Sequence, residues 1–123
     1  MPRKSSTKPS AAPARRSPCP VACGLDLFGD KWTLLIIRDL ILGRSRFKDF
    51  VESPEGIPTN ILSDRLERLL DGGVVQQIPA ADGSKRLAYQ LTDKGAALRP
   101  ILRAIRDWGL KWESGTRANL EEK

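Results

Sequence analysis

The stretch SRFKDFVESPEGIPTNILSDRLERLLDGGVVQQIP, residues 45–79, decides the fold of this 123-residue chain. Ser45 stands where a helix N-cap belongs, and Phe47, Phe50 and Val51 follow at i, i+3, i+4 spacing, so a short helix is predicted from Ser45 to Ser53. Ser53-Pro54-Glu55-Gly56 then makes a turn. A second helix is predicted from about Pro58 to Asp71, where Gly72-Gly73 ends it. Steps of 100° put Ile61, Leu62, Leu66, Leu69 and Leu70 on one side and Asn60, Ser63, Asp64 and Glu67 on the other. Two strand-like runs follow at once, Val74 to Ile78 and Leu87 to Leu91, around a turn segment containing Asp82-Gly83. Leu87, Tyr89 and Leu91 are expected to alternate inward, and Pro79 to lie near a strand end or edge, since it cannot donate to a ladder. Helix, tight turn, helix and immediate hairpin is the order of a winged helix-turn-helix.

Outward from this core, Cys19 and Pro20 take the N-cap and first positions of an opening helix with Val21, Leu25 and Phe28 on one stripe. Asp30 caps the next helix, which is apolar from Trp32 to Leu42 except for Arg38 and Asp39 and should be buried on most sides. Thr92 is the expected N-cap of the last helix, with Leu98, Ile101, Leu102, Ile105, Trp108, Gly109 and Trp112 on a single face and Pro100 kinking or restarting it. Arg99, Arg103 and Arg106 fall opposite as a solvated stripe. The fold class expected is α+β, mainly helical: a winged helix-turn-helix with a two-stranded wing and dimerisation helices at both ends. Residues 1–18 read as a disordered basic arm, 19–114 as the DNA-binding and dimerisation domain, and 115–123 as a flexible tail.

Composition limits the chemistry. The chain has 21 Lys and Arg against 15 Asp and Glu. Five of those cations, Arg3, Lys4, Lys8, Arg15 and Arg16, lie in residues 1–18, which hold no acid, so residues 19–123 are nearly neutral. The arm is either a solubilising tail or a strand that follows DNA phosphates. There is no His, which removes the commonest general base and metal ligand. Cys19 and Cys23 cannot close a four-ligand zinc site or make the disulfide framework of a small secreted domain. No metal, cofactor or enzymatic step is therefore expected. The apolar run 32–42 is about half the roughly 20 residues that span a bilayer, and the N-terminus lacks the apolar run of a signal peptide. The expectation is a cytoplasmic protein with no membrane partner.

A helix with an apolar back and short polar groups on its face can enter the major groove of double-stranded DNA and read base edges, while hairpin cations hold phosphates. The candidate DNA-binding residues are Arg46, Lys48, Thr59, Asn60, Ser63, Arg65, Lys85 and Arg86. Each has a plainer reading. Thr59 and Asn60 serve equally as caps, and Lys85-Arg86 equally as solubilising charges on an edge hairpin. Asp64 and Arg68 are spaced as an i, i+4 pair. Arg65 has no acid three or four residues away, which leaves it to a phosphate or to a carboxylate on another element. The Trp108 and Trp112 face exceeds what a small core needs, so Ile105, Trp108 and Trp112, with Val21 and Leu25 of the first helix, are the candidate dimerisation residues. The rival reading is a winged-helix module that binds a protein partner through that tryptophan face and does not read DNA.

Cys19-Pro20-Val21, Leu27-Phe28-Gly29-Asp30-Lys31-Trp32-Thr33, Arg46-Phe47, Gly56-Ile57, Leu62-Ser63-Asp64-Arg65-Leu66, Leu69, Gly72-Gly73-Val74, Tyr89-Gln90-Leu91-Thr92 with Gly95, and Asp107-Trp108-Gly109 together resemble the HxlR family of bacterial winged-helix transcriptional regulators. The resemblance covers residues 19–114. It implies a homodimer related to MarR-type folds, with the first and last helices at the subunit interface and the fourth helix in the major groove of a pseudo-palindromic operator. It departs from the family pattern at Pro58, where a hydroxyl N-cap is expected, and at Asp64, where a basic or amide side chain is common. The resemblance also implies a sensing role for Cys19, since the cysteine of the Cys-Pro-Val position serves so in some members. A thiol at a helix N-terminus suits that chemistry, and a buried structural cysteine is the other reading. Cys23 lies one turn on, at about 5–6 Å between Cβ atoms, too far for an unstrained bond.

Overall fold

The computed structural model describes residues 15–80, 83 and 86–118. The expectations for residues 1–14, Asp82, Lys85 and residues 119–123 lie outside the described residues. The chain order is α1 (Pro20–Phe28), α2 (Thr33–Ile41), α3 (Phe47–Val51), α4 (Thr59–Asp71), β1 (Val75–Pro79), β2 (Leu87–Leu91), α5 (Asp93–Ala96) and α6 (Arg99–Trp112). The helix pair α3–α4 and the hairpin β1–β2 are the winged helix-turn-helix.

Asp30 organises the entry to α2: its Oδ1 accepts from the backbone N–H of Trp32 (2.7 Å) and Thr33 (2.9 Å), and its Oδ2 from the Thr33 hydroxyl (2.7 Å). Ile36, Ile37 and Ile41 then enter a core shared with Phe50, Ile57, Leu62, Leu66, Leu69, Val74, Val75, Leu98 and Leu102. Ser45 does not cap α3. Asp49 does so from within, accepting at Oδ2 from the backbone N–H of Ser45 (3.1 Å) and Arg46 (3.0 Å), since a carboxylate in the first turn can reach back over both orphan donors. The Arg46 and Ser45 N–H bonds and the neighbouring Lys48 and Arg44 charges outweigh partial burial and hold the Asp49 carboxyl below its ordinary range.

Gly56, at φ 71°, makes the left-handed turn between α3 and α4 that a side chain would resist. Pro58 lies just outside α4 as its N-cap, so the helix opens at Thr59 with no capping side chain. β1 and β2 pair antiparallel from Val75↔Leu91 to Pro79↔Leu87, which puts Pro79 at the strand end. The expected inward alternation of β2 holds only in part. Ala88 is buried, Tyr89 and Leu91 are half-buried, and Leu87 is half exposed, because the helices cover only the base of a two-stranded wing. Tyr89 is anchored by its N–H to the Ser45 carbonyl (2.8 Å) and by an edge contact with Phe50.

The single last helix expected from Thr92 is two. Thr92 caps the short α5 through its hydroxyl, which accepts from the Gly95 N–H (3.2 Å), and α6 restarts with Pro100 in its first turn, where the missing N–H costs nothing. Gly95 is needed there: a Cβ would lie 2.2 Å from the Val74 carbonyl oxygen. Among the described residues, no helix is long and apolar enough to cross a membrane.

Candidate nucleic-acid interface

The burial of α4 follows its sequence pattern. Leu62, Leu66 and Leu69 are buried, while Thr59, Asn60, Ser63, Asp64 and Glu67 are exposed. Since no side chain caps α4, Thr59 and Asn60 are not occupied as caps and stand on the surface with Ser63. These short polar groups form one patch at the helix's N-terminal half.

Arg65 does not join that patch. Its side chain is 18% exposed, its Nε lies 3.4 Å from Asp30 Oδ2, and its Nη1 meets the Asp64 carboxylate. Of the two partners open to it, the structure supplies a carboxylate on another element. Asp64 therefore pairs with its chain neighbour instead of Arg68, whose Nη2 reaches across to the Asp26 carbonyl of α1 (3.2 Å). Both arginines turn toward the α1–α2 corner because that corner packs beside α4 and offers anchored oxygens. At Asp30, burial alone would raise the carboxyl. The Thr33 hydroxyl, the two backbone N–H groups and the Arg65 charge outweigh it and hold the carboxyl at about 2.

A second feature lies between α3 and the wing. Arg46, Phe47, Lys48, Gln77, Arg86, Leu87 and Tyr89 line an open groove of about 460 Å³, so three of the sequence candidates from two elements meet on one surface with no acid among the described lining residues. The exposed Leu87 gives the groove an apolar side. This arrangement suits a sugar–phosphate backbone: cations for the phosphates and hydrocarbon against the sugars.

The sequence reading missed the charged network behind the turn. Asp39, 3% exposed, accepts from Arg38 Nη2 (2.9 Å) and lies 3.8 Å from Arg44 Nε, while Arg38 also reaches Glu55 and Ser53. The signal was present as Arg38-Asp39 interrupting an apolar helix, because charges are rarely buried unless paired. What that signal lacked was the partner, seventeen residues away.

Cys19 is exposed at the N-cap of α1 and Cys23 is half-buried, its thiol donating to the Ser17 carbonyl (3.4 Å). Val21 and Leu25 of α1 are exposed, as are Ile105, Trp108 (58%) and Trp112 (62%) of α6. An apolar groove of about 380 Å³ joins the two helices, lined by Pro20, Val21, Gly24, Leu25, Phe28 and Ile101.

The sequence pattern of the HxlR-like helix-turn-helix family matches residues 27–117. The chain is 35% identical over 88 residues to the HTH-type transcriptional regulator YvaP of Bacillus subtilis (strain 168), covering 72% of this chain and 82% of YvaP. Over 107 residues it is 31% identical to the HTH-type transcriptional regulator YodB of the same organism, covering 85% of this chain and 96% of YodB. Reduced YodB superimposes with a TM-score of 0.66 at 27% identity over 82% of this chain and all of that one. The diamide-treated and quinone-bound forms of YodB match at 0.61 and 0.63. The crystal structure of PA1607 matches with a TM-score of 0.77 at 43% identity, over 88% of this chain and 77% of that one.

Proposed function

Because the chain belongs to the HxlR-like helix-turn-helix family of transcriptional regulators, we propose that it is a cytoplasmic, sequence-specific DNA-binding regulator that acts as a homodimer on a pseudo-palindromic operator. The observation that carries the reading is the exposed Thr59, Asn60 and Ser63 patch on α4, backed by buried leucines, together with the groove that Arg46, Lys48 and Arg86 line between α3 and the wing. The amide and hydroxyls read base edges, and the cations hold the backbone. Two copies joined through α1 and α6 present two reading helices to half-sites about 10 bp apart or a multiple of that. Selection of bound fragments from random DNA tests this: an enriched two-fold motif is expected, and recovery of unrelated sequences overturns it.

We further propose that the regulator responds to thiol chemistry through Cys19. Its exposed position at the start of α1 supports this, as does the likeness to YodB, which has diamide-treated and quinone-bound forms. The near-neutral charge of residues 19–123 favours a second reading, a protein-binding module that does not read DNA. Heparin retention of the chain without its arm supports the first reading, and flow-through the second.

A further inference from the structure

The turn between α3 and α4 sets the direction of the reading face, and it is held by charge as well as by packing. Arg38, on α2, donates from Nη1 to Glu55 Oε2 (2.8 Å) and from Nη2 to Glu55 Oε1 (2.7 Å), the two-pronged geometry of guanidinium on carboxylate. The same Nη2 reaches Ser53 Oγ (3.0 Å), and the Ser53 hydroxyl donates to Glu55 Oε1 (3.1 Å). Two residues of the turn, Ser53 and Glu55, are thus tied to one guanidinium. The Arg38 bond holds the Glu55 carboxyl at about 2 against the opposing effect of burial, so the pair stays charged throughout the working pH range.

Glu55 immediately precedes Gly56, which turns the chain, and the buried Ile57. The Pro58 carbonyl then accepts the opening bond of α4 from the Leu62 N–H (2.9 Å). Thr59 and Asn60 lie only four and five residues beyond Glu55, with little chain between the anchored carboxylate and the polar patch to absorb a shift. We propose that Arg38 and Glu55 are a positioning pair for DNA reading, their forked ion pair fastening the turn to α2 and so aiming Thr59, Asn60 and Ser63. This rests on the DNA-reading function proposed above. Arg38 acts from behind the turn, and Glu55 carries the wrong charge for a phosphate contact, so both act through α4.

The test is Glu55→Gln in the full chain, which keeps the side chain's shape and leaves Arg38 on the buried Asp39. Removing Arg38 instead strips Asp39 of its nearer guanidinium and endangers the fold. Arg38→Lys, which keeps the charge but offers no fork, is therefore the second variant. In the free protein, amide exchange at Gly56 and Leu62, whose N–H groups donate to the Ser53 and Pro58 carbonyls, should rise about tenfold in Glu55→Gln, with β1, β2 and α6 unchanged. Operator affinity should fall about tenfold, the worth of about one misaimed base contact, with less than about a twofold change on random DNA and an unaltered salt slope. Arg38→Lys should show the same operator-selective loss.

Unchanged exchange in the turn overturns the proposal. So does equal loss on operator and random DNA, or exchange rising throughout the molecule, since either makes the pair merely structural. A wild type that binds all sequences alike sinks the DNA-reading function itself, while the exchange measurement still decides whether the pair fastens the turn.

Discussion

Asn60 and Arg65 lie five residues apart on α4 and face different neighbours, which separates their expected effects. Asn60 is exposed beside Thr59 and Ser63, so Asn60→Ala should weaken operator binding by about 1–3 kcal/mol and barely change binding to random DNA. Equal losses on both would make it a phosphate contact. Arg65 meets Asp30, the residue that starts α2, and Asp30 predicts a pH-dependent stability. Its folded value of about 2 lies below its ordinary 3.8, so its stabilisation is fully present above that ordinary value and is lost as pH falls through about 2. Asp30→Ala should cost about 0.5–2 kcal/mol in urea unfolding at pH 7, with the gap to wild type closing between about pH 4 and pH 2. A gap independent of pH would show that the carboxylate charge does not matter there.

Two elements carry predictions of their own. The wing brings Arg86 toward Arg46 and Lys48. Changing Lys85 and Arg86 together to Ala should weaken binding to every sequence and make the slope of log K against log salt shallower by roughly 2. An unaltered slope puts the wing away from DNA. At the start of α1, the Cys19 thiol is exposed, whereas Cys23 is half-buried and bonded to the Ser17 carbonyl. Mass spectrometry under limiting alkylation should find Cys19 labelled first. Diamide should alter operator binding in wild type, reversibly with dithiothreitol, and leave Cys19→Ser unaffected. Identical responses would exclude Cys19 as the sensor.

For the whole molecule, the apolar stripe of α6 divides by depth. Leu98 and Leu102 close the core, while Ile101, Ile105, Trp108 and Trp112 continue onto the surface, Ile101 lining a groove with Val21 and Leu25. Because Trp108 stands outside the core, Trp108→Glu should leave a folded monomer in place of the proposed dimer, as a desolvated carboxylate in a two-fold seam meets no partner. Light scattering with circular dichroism checks both halves of that statement. A folded dimeric variant would move the interface elsewhere.

Periodicity and punctuation were enough to make the helix-turn-helix and its wing legible in residues 45–79. Apolar spacing is a local property that each element carries into any fold, and Gly56, Gly72 and Gly73 mark the breaks between elements. The polar patch of α4 was legible for the same reason. Tertiary structure decided the pairings: Arg65 with the Asp30 carboxylate, Arg68 with the backbone carbonyl of Asp26, Arg38 with Glu55, and Arg46 and Lys48 beside Arg86. An ion pair depends on distance through space, and sequence separation says nothing of which carboxylate a long arginine will meet once the chain has turned. The fate of Leu87 and the division of the last helix at Ala97 and Leu98 were settled at the same level, by which surfaces the other elements left uncovered and by the close approach of Gly95 to Val74.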